Sequence, residues 1–413
     1  MLPVNCLLYT DDVALVGTSD DIDRLLVGVE IHSCLLGYQW NLTKCEILNA
    51  PPDHTFMLYG NQLPTCRTFR YLGIPFSQSG IDANLLIRHA NNKAVNVMHS
   101  LKGCGVHMYG FGIAHALRAY KIFVRPILEY GLAILHLTKR GIEEAERSQR
   151  RCLRLCLCRN PSSPVGVLHL ASLAALPSVY GRSLILQAKF LYRAETLPDD
   201  TLLKCMIPQL QARRSEATWV KLRRNVLWKE VRKLRDRPDP PKYPLKEAIR
   251  LFCQREIDAL LSIKDPPVTL MRGLRRPVWD PVLLLPCTSK ERHRLVKWRI
   301  AWLPPSPSVA CQCGCPRGNR DHFLDCPLTK TAMENLMRVT YPFPPPAMHP
   351  VDYALNLLPR KIPSTYGPWI VMWQRLHIVL RKIDQATSDK TFDPEPPPSA
   401  LLIAAFNRHR RHN

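Results

Sequence analysis

The spacing of apolar residues changes near residue 82, and this change constrains the fold more than any other feature of the sequence. Before it, short apolar runs alternate with turn residues, a pattern typical of strands in an antiparallel or mixed sheet. After it, apolar positions recur at helical spacing, and strands are hard to find beyond Asn160. The sequence therefore predicts an α+β fold with its strands near the beginning and helices afterwards.

The predicted elements follow from this pattern. Strands are expected over residues 5–9, 13–16, 45–48 and 69–72, with a hairpin turning at Gly60 and Asn61. Ser19, Asp20 and Asp21 can cap the helix that follows the second strand. Helices are expected over residues 82–102, 112–136 and 139–158, the second interrupted at Pro126 because proline lacks a backbone donor.

Charge is distributed unevenly along the chain. Residues 1–90 hold 5 Lys or Arg against 9 Asp or Glu, whereas the whole chain has a net charge of +23. A basic body of this size favours nucleic acid or an acidic membrane as a partner, and a basic soluble protein without such a partner is the alternative. Residues 213–237 pack ten Lys or Arg into a predicted amphipathic helix, in which Trp219 and Trp228 either pack inward or stack on bases.

Cysteine usage indicates a reducing compartment, nuclear or cytoplasmic. Fifteen cysteines in 413 residues fall below the density of a disulfide scaffold, and Asp11 and Asp12 interrupt the first apolar stretch where a signal peptide would need to continue. The longest uncharged stretch, residues 160–181, contains three prolines and a histidine. We therefore expect no transmembrane segment and no membrane partner.

Two adjacent carboxylates, Asp11 and Asp12, lie between the first two predicted strands. At the tip of a hairpin they can present hard oxygen ligands to Mg²⁺, as in two-metal nucleotidyl transfer. For the dipeptide alone, ordinary turn chemistry is the alternative, because Asp side chains bond nearby backbone amides.

The order of three sequence blocks favours metal binding at Asp11 and Asp12 over ordinary turn chemistry. Residues 7–15 contain Tyr9-Thr10-Asp11-Asp12, residues 41–48 contain Lys44-Cys45-Glu46, and residues 69–75 contain Tyr71-Leu72-Gly73. Together they resemble the Tyr-x-Asp-Asp motif, the Lys-Cys-Glu block and the Tyr-Leu-Gly strand of reverse transcriptases from non-LTR (LINE-type) retrotransposons. Residues 117–120 and 125–131 resemble the helical thumb of the same elements.

The resemblance implies an RNA-directed DNA polymerase with template RNA, primer DNA and a deoxynucleoside triphosphate as partners, and with Mg²⁺ as cofactor. Asp11 and Asp12 would be the metal-binding carboxylates, and Tyr9, Tyr71, Leu72 and Gly73 would lie beside the primer. Lys44 would sit near the triphosphate, where its ammonium could offset charge; an ordinary solvated lysine is the alternative.

One departure from the family bears on activity. Members carry a further metal-binding aspartate on an earlier strand and fingers that grip the template, whereas eight residues precede Tyr9 here. We therefore expect this chain to behave as the C-terminal part of the enzyme, weak or inactive by itself. A non-enzymatic nucleic-acid-binding remnant is the alternative.

A second constellation comprises Cys311, Cys313, His322 and Cys326. Thiolate and imidazole ligands favour tetrahedral Zn²⁺, and the spacing predicts a zinc knuckle, with Cys315 competing for one ligand position. Non-LTR reverse transcriptases often carry such a knuckle near the C-terminus.

Other cysteines and arginines have less specific interpretations. Cys152, Cys156 and Cys158 lie on a predicted amphipathic helix and are interpreted as buried thiols. Arg150, Arg151 and Arg154 beside them can contact phosphates or form a solvated helix face. Asp352 and Lys361 carry no nuclease pattern.

The sequence thus predicts a partial polymerase palm, then a mostly α-helical thumb and basic helical region with a small zinc-knuckle module. The predicted boundaries are residues 1–78 for the palm, 79–160 for the thumb-like region, 161–285 for the basic helical region and Pro-rich linker, 286–330 for the knuckle, and 331–413 for a Pro-rich, basic, partly disordered end that includes a disordered tail at 408–412.

Overall fold

The computed structural model describes residues 5–157, 170, 173–212, 218–262, 278–305, 308–345, 348–359, 367–388 and 394–411. The fold is α+β and mainly helical, as the sequence predicts. The chain divides into two compact units that interleave in sequence, whereas the sequence analysis assigned consecutive segments. Unit 1 comprises Met1–Asn92, Leu128–Ala145 and Ser183–Leu245, and unit 2 comprises Lys93–Ile127, Glu146–Arg182 and Lys246–Asn413.

The strands are short. They are β1 (Cys6–Tyr9), β2 (Asp12–Leu15), β3 (Ile47–Leu48), β4 (Met57–Leu58), β5 (Asn61–Gln62), β6 (Thr65–Cys66), β7 (Thr68–Tyr71), β8 (Ile74–Ser77) and β9 (Gly80–Ile81). They form antiparallel hairpins β1–β2 and β4–β5, a parallel pair β3–β6, and an antiparallel sheet in the order β7–β8–β9.

Helices make up most of the remaining structure. They are α1 (Ser19–Leu35), α2 (Ala83–Gly103), α3 (Ile113–Ala119), α4 (Arg125–Glu129), α5 (Lys139–Leu157), α6 (Val179–Thr196), α7 (Leu202–Ala212), α8 (Thr218–Arg223), α9 (Val226–Arg235), α10 (Pro244–Ser262), α11 (Ser289–Arg299), α12 (His322–Asp325), α13 (Lys330–Val339), α14 (Pro350–Asn356), α15 (Pro368–Ala386) and α16 (Ala400–Arg411). Short 3₁₀ turns span Leu42–Lys44 and Pro281–Leu283, and a π-helical turn spans Tyr120–Val124.

The strand region of unit 1 is held by a small apolar cluster beneath α1. Leu26 of α1 is buried with Phe56, Leu58 and Leu63 of the β4–β5 hairpin and its flanks. The N-cap of α1 is Thr18, one residue before the predicted capping residues, and it forms a capping box with Asp21. This box stabilises the first turn of α1, which begins shortly after β2 ends.

Two local predictions in unit 1 need correction. The strand predicted over residues 45–48 shortens to Ile47–Leu48, because the Asn41 side chain accepts from the Thr43 amide and caps a 3₁₀ turn instead. The β4–β5 turn is formed by Tyr59 and Gly60, one residue before the predicted position. Both have positive φ, 50° and 70°, as a two-residue hairpin loop requires.

The basic segment predicted as one helix forms two helices in the described part, α8 and α9; residues 213–217 lie outside the described ranges. The buried Asn225 separates them, since its side-chain oxygen accepts from the Leu227 and Trp228 amides. Trp219 and Trp228 are both buried, so they pack inward rather than presenting a face to bases.

A π-helical turn in unit 2 replaces the predicted interruption at Pro126. In a regular α-helix the proline ring would clash with the carbonyl of Ile122 and leave that carbonyl without its donor. The helix instead widens by one residue in a π-turn, in which the Arg125 N–H donates to the Tyr120 carbonyl. The helix ends at Glu129 rather than at residue 136.

The described part of the end of the chain contains helices that the sequence analysis did not predict. Four helices, α13 to α16, lie within the described part of residues 330–411. Helix α15 packs against α11, α13 and α14 and buries Trp373, Leu376 and Leu380. The tail predicted to be disordered is helical as far as Arg411, and His412 lies outside the described residues.

Glu395 anchors the last described segment of unit 2. The carboxylate accepts hydrogen bonds from both terminal nitrogens of Arg294 on α11 and lies 3.1 Å from the Arg381 guanidinium on α15. Arg294 also donates to Asp384 at 2.8 Å. The hydrogen bonds from Arg294 lower the pKa of Glu395.

The lowered pKa sets a pH dependence for stability. Since the ordinary pKa of glutamate is 4.5, the Glu395 carboxylate stabilises the folded chain above that pH, and the stabilisation is lost as the pH falls through the lowered value. We expect Glu395→Gln to lower the free energy of unfolding by roughly 2 kcal/mol at neutral pH, and by progressively less as the pH falls below 4.5. Urea unfolding followed by tryptophan fluorescence measures this.

The matched control is Glu256→Gln, the same substitution at an exposed position of α10. Its unfolding free energy should stay close to that of the unmodified chain at all pH values. Equal losses in the two variants would contradict the role assigned to Glu395.

Candidate functional site

Four side chains in unit 2 bring potential metal-ligand atoms close together. The ligand atoms of Cys311, Cys313, His322 and Cys326 all lie within 4.8 Å of one another. The Cys311 and Cys326 Sγ atoms are 3.7 Å apart, and the Cys313 Sγ atom is 3.4 Å from Nε2 of His322. A tetrahedron built on zinc bond lengths has edges of about 3.8 Å between sulfurs and about 3.6 Å between sulfur and nitrogen. The four residues can therefore hold Zn²⁺, as the spacing predicts.

A tight loop supplies the first two ligands. The Gly314 N–H donates to the Cys311 carbonyl at 2.9 Å, and the Cys311 N–H donates to the Cys315 carbonyl at 2.8 Å. Gly314 has φ +94°, a conformation that side-chain-bearing residues rarely adopt. The loop thus turns the thiols of Cys311 and Cys313 towards the same point.

The short helix α12 and its C-cap residue supply the other two ligands. The Asn319 side chain accepts from the His322 N–H at 2.8 Å and starts the turn. The Cys326 N–H donates to the His322 carbonyl at 3.0 Å. Residues four apart in a helical turn lie on one side, which brings His322 and Cys326 together.

Cys315 takes no part in the group of four. Its thiol donates to the Arg317 carbonyl at 3.5 Å. The competition between Cys315 and its neighbours, left open by the sequence, favours Cys311 and Cys313 in the structure.

The cysteine thiols of the centre differ in burial and in pKa. Cys311 and Cys326 are 4% and 1% exposed, and burial raises the pKa of Cys311 to about 12. A hydrogen bond from the Cys315 backbone lowers the pKa of the Cys313 thiol. Thiolates are the metal-binding form, so a cation in the centre would offset the cost of ionising the buried thiol.

A buried ion pair, which sequence reasoning missed, fixes the loop between the ligands. Arg320 contacts Asp352 at 3.2 Å, donates to the Trp298 carbonyl and lies 3.9 Å from the centroid of the Trp298 ring. Trp298 Nε1 donates to Asp352 at 2.7 Å. Burial lowers the pKa of Arg320 to about 10 and raises that of Asp352. Asp352 is thus a structural carboxylate; Lys361 lies outside the described residues.

The β1–β2 hairpin in unit 1 presents the two predicted carboxylates to solvent. Tyr9 pairs with Asp12, so Thr10 and Asp11 form the two-residue turn. Thr10 has φ 53°, and its hydroxyl donates to the Tyr9 carbonyl at 2.7 Å and to Asp11 at 3.0 Å. The hydrogen bond from Thr10 lowers the pKa of Asp11, and the positive charge of Lys44 lowers it further.

The three sequence blocks are neighbours in unit 1. Lys44 ends the 3₁₀ turn and acts electrostatically on Asp11. The Tyr71 hydroxyl donates to the Leu7 carbonyl on β1 at 3.4 Å. The β7–β8 turn is formed by Leu72 and Gly73, both with positive φ, and the Tyr130 hydroxyl donates to the Leu72 carbonyl.

The β1–β2 hairpin, here called the carboxylate hairpin, offers fewer metal ligands than the cysteine centre. Within the described ranges, no third His, Cys, Asp or Glu joins Asp11 and Asp12 in a group that could hold a metal.

Helix α5 carries the three predicted nucleic-acid contacts. Arg151 is exposed, whereas Arg150 and Arg154 are half-buried. Cys152 and Cys156 on the same helix are fully buried, and burial raises the pKa of both. The interpretation as buried thiols is confirmed for these two, and Cys158 lies outside the described residues.

Comparison of the chain with protein-family models, curated proteins and solved structures found no match. The family resemblance rests on the motifs and their spacing. Among the helices of the described ranges, none has the length and apolar character needed to cross a membrane.

The metal centre predicts a specific dependence on its ligands. We expect the purified chain to carry about one zinc ion, and we expect Cys326→Ser to lower the zinc content to a small fraction, because serine offers no thiolate to a buried four-ligand site. Elemental analysis by mass spectrometry after exhaustive dialysis measures the change.

Cys315→Ser is the matched control, since it removes a neighbouring thiol that lies outside the ligand set. Its zinc content should equal that of the unmodified chain. Unchanged zinc in Cys326→Ser, or equal loss in both variants, would sink the assignment.

Proposed function

We propose that this chain carries the C-terminal part of a non-LTR retrotransposon reverse transcriptase, an RNA-directed DNA polymerase. The observation that carries the proposal is the convergence of three separate sequence blocks. The Asp11 turn, Lys44 and Tyr71 lie in one unit. Lys44 acts electrostatically on Asp11, and the Tyr71 hydroxyl donates a hydrogen bond to the Leu7 carbonyl on β1. Ordinary turn chemistry at Asp11 and Asp12 gives no reason for Lys44 and Tyr71 to lie there.

The side chains present fit nucleotidyl transfer in part. Asp11 and Asp12 offer hard oxygen ligands for Mg²⁺, which when bound would activate the primer hydroxyl and stabilise the leaving oxygen. Lys44 would offset negative charge on the triphosphate. Tyr9, Tyr71, Leu72 and Gly73 would position the primer end.

The hairpin alone under-coordinates two divalent ions. Mg²⁺ requires near-octahedral oxygen coordination, and two neighbouring carboxylates supply a minority of those ligands. We propose that the chain of 413 residues is therefore a weak or inactive polymerase.

A second candidate function is nucleic-acid binding without catalysis. It is favoured by the completeness of the Cys311, Cys313, His322 and Cys326 centre, together with the net charge of +23. A zinc-ordered loop in a basic chain can hold RNA or DNA whether or not the polymerase site is complete.

Primer extension separates these two functions. On an RNA template with a DNA primer, Mg²⁺ and deoxynucleoside triphosphates, we expect the chain to extend no more primer than its Asp11→Asn variant does. The reason is the shortage of metal ligands at the hairpin. Gel analysis of a labelled primer measures this, and extension abolished by Asp11→Asn would establish an active polymerase instead.

RNA binding should show the salt dependence of phosphate contacts. We expect Arg151→Gln, on the exposed face of α5, to weaken binding and to reduce the slope of log K against log salt by about 0.7, the value for one phosphate contact on a single strand. Fluorescence anisotropy of a labelled RNA at several salt concentrations measures the slope.

Arg24→Gln is the matched control, since Arg24 has a side chain 78% exposed on α1, in the acidic part of the sequence. It should leave the slope unchanged. Absence of RNA binding by the unmodified chain at low salt would count against both candidate functions.

A further inference from the structure

Three cations on one side of α9 in unit 1 take no part in the core. Lys229, Arg232 and Lys233 are exposed, whereas the opposite side of the helix, which includes Trp228 and Val231, is buried. Residues three and four apart on a helix are neighbours on its surface, so Arg232 and Lys233 both lie about one turn beyond Lys229. We call these three cations the α9 basic face.

Helix α9 is attached to α6 at both of its ends. At the N-terminal end, the side-chain amide of Asn225 donates to the Leu184 carbonyl at 3.0 Å and to the Gln187 side chain at 2.9 Å. At the C-terminal end, the Arg235 guanidinium donates to the Glu195 carboxylate at 2.8 Å. The backbone positions of the three cations are therefore fixed relative to one another.

The positive charge of the α9 basic face is not neutralised within the described part of the chain. No carboxylate there forms an ion pair with Lys229, Arg232 or Lys233. Glu230 is the only acidic residue of α9, and no ion pair joins it to any of the three. The charge of this face is thus open to an anion from outside.

Helix stability does not account for the arrangement. Lys229 lies in the first turn of α9, at the positive end of the helix dipole, where a cation is unfavourable. Lys229 and Lys233 are four residues apart, and like charges at that spacing repel each other. The dipole favours Arg232 and Lys233 near the C-terminal end, but it gives no reason for Lys229. A negatively charged partner would offset the repulsion between the two lysines.

The buried side of α9 argues against a membrane as this partner. A helix that binds at a membrane surface inserts its apolar side among the lipids. The apolar side of α9 is instead packed within the protein, since Leu227, Trp228, Val231 and Leu234 are all buried. Contacts of this helix with a polyanion are therefore limited to the charged side chains.

The aromatic residues of the basic segment favour a duplex over a single strand. Proteins that bind single strands combine cations with aromatic rings on which the bases stack. Trp228 is the only aromatic residue of α9 and is fully buried, and Trp219 of α8 is buried as well. In a duplex the bases are stacked on one another, so cations alone can hold its backbone.

The spacing of the cations suits the backbone of a duplex. Lys229 and Lys233 are about 6 Å apart along the helix axis. Each strand of a duplex carries one phosphate per roughly 3.4 Å of its axis, so neighbouring phosphates lie within reach of both lysines. The planar guanidinium of Arg232 can bind a phosphate through two of its nitrogens.

We propose that Lys229, Arg232 and Lys233 bind the phosphate backbone of a nucleic-acid duplex. This inference rests on the proposed nucleic-acid function, and it names a duplex, rather than a single strand, as the ligand of this face. Because the contacts are made to phosphates alone, the binding carries no preference for base sequence.

The test uses the full chain with a fluorescently labelled DNA duplex, or with one of its strands alone, and follows binding by anisotropy. The α9 double variant, Lys229→Gln with Lys233→Gln, should raise the dissociation constant for the duplex on the order of tenfold at low salt. It should also reduce the slope of log K against log salt by about 0.9 for each lost contact. The affinity for the single strand should fall less. Lys229→Arg with Lys233→Arg keeps both charges and should bind the duplex as the unmodified chain does.

The matched control is Lys93→Gln with Lys246→Gln, which removes the same net charge at exposed positions of α2 and α10. This control should bind the duplex as the unmodified chain does. In thermal unfolding the α9 double variant should be at least as stable as the unmodified chain, because it loses the repulsion between two lysines. A loss of affinity without a loss of stability assigns the effect to binding.

A second measurement needs no variant. N-hydroxysuccinimidyl acetate transfers its acetyl group to an unprotonated lysine amine, forming an amide and releasing N-hydroxysuccinimide. Peptide mapping should find that the duplex protects Lys229 and Lys233 from acetylation. Lys246 should be acetylated equally with and without the duplex.

The outcomes separate this inference from the function on which it rests. If the unmodified chain binds neither the duplex nor the single strand, the function and the site are both overturned. If the α9 double variant binds as well as the unmodified chain, if the control loses as much affinity, or if the duplex leaves acetylation of Lys229 unchanged, the site alone is overturned. Equal losses for duplex and single strand would overturn the duplex as its ligand. Loss of binding to phosphatidylserine vesicles, with duplex binding intact, would overturn the site and point to a membrane surface.

Discussion

Unit 2 depends on arginine side chains that are buried together with their carboxylate partners. The three pairs are Arg294 with Glu395, Arg299 with Asp280, and Arg320 with Asp352. Removing such groups from water costs several kcal/mol per ion, so these pairs add less net stability than an apolar core would. The pairs instead favour one arrangement of the helices, because an alternative packing would leave a buried charge without a partner. Some of the arginines of this strongly basic chain therefore help to determine how the helices of unit 2 pack.

The cysteine centre takes its position from one of these pairs. Arg320 lies between Asn319, which starts helix α12, and the ligand His322, and it is fixed by Trp298 and Asp352. On the other side, Gln312 donates its backbone N–H to the Ala386 carbonyl at the end of α15. The ligand loop is therefore attached to packed helices at two points. In a self-standing zinc knuckle the metal must supply most of the folding free energy, whereas here the helices already constrain the loop.

Sequence reasoning predicted contacts that depend on local spacing and missed those that depend on tertiary packing. The four cysteine-centre ligands were identifiable because the short turn and α12 bring them together with few intervening residues. The partner of Arg320 was not, because Asp352 lies thirty-two residues away and belongs to another helix. The same limit explains the end of the chain: its prolines suggested disorder, but Trp373 and Leu376 find a buried surface that periodicity alone cannot reveal.

The two candidate metal sites differ in what the chain provides for them. The cysteine centre has a full set of four ligands on a constrained loop, whereas the hairpin has two exposed carboxylates on a strained turn. Thr10 is β-branched and adopts φ 53°, a conformation that costs on the order of 1–2 kcal/mol. Strand β1 is exposed throughout, so the strain is not balanced by burial of that strand. The hydrogen bond from Thr10 to Asp11 instead favours the ionised carboxylate at the tip. The strain at Thr10 therefore belongs to the turn itself, because a two-residue hairpin loop requires a residue with positive φ.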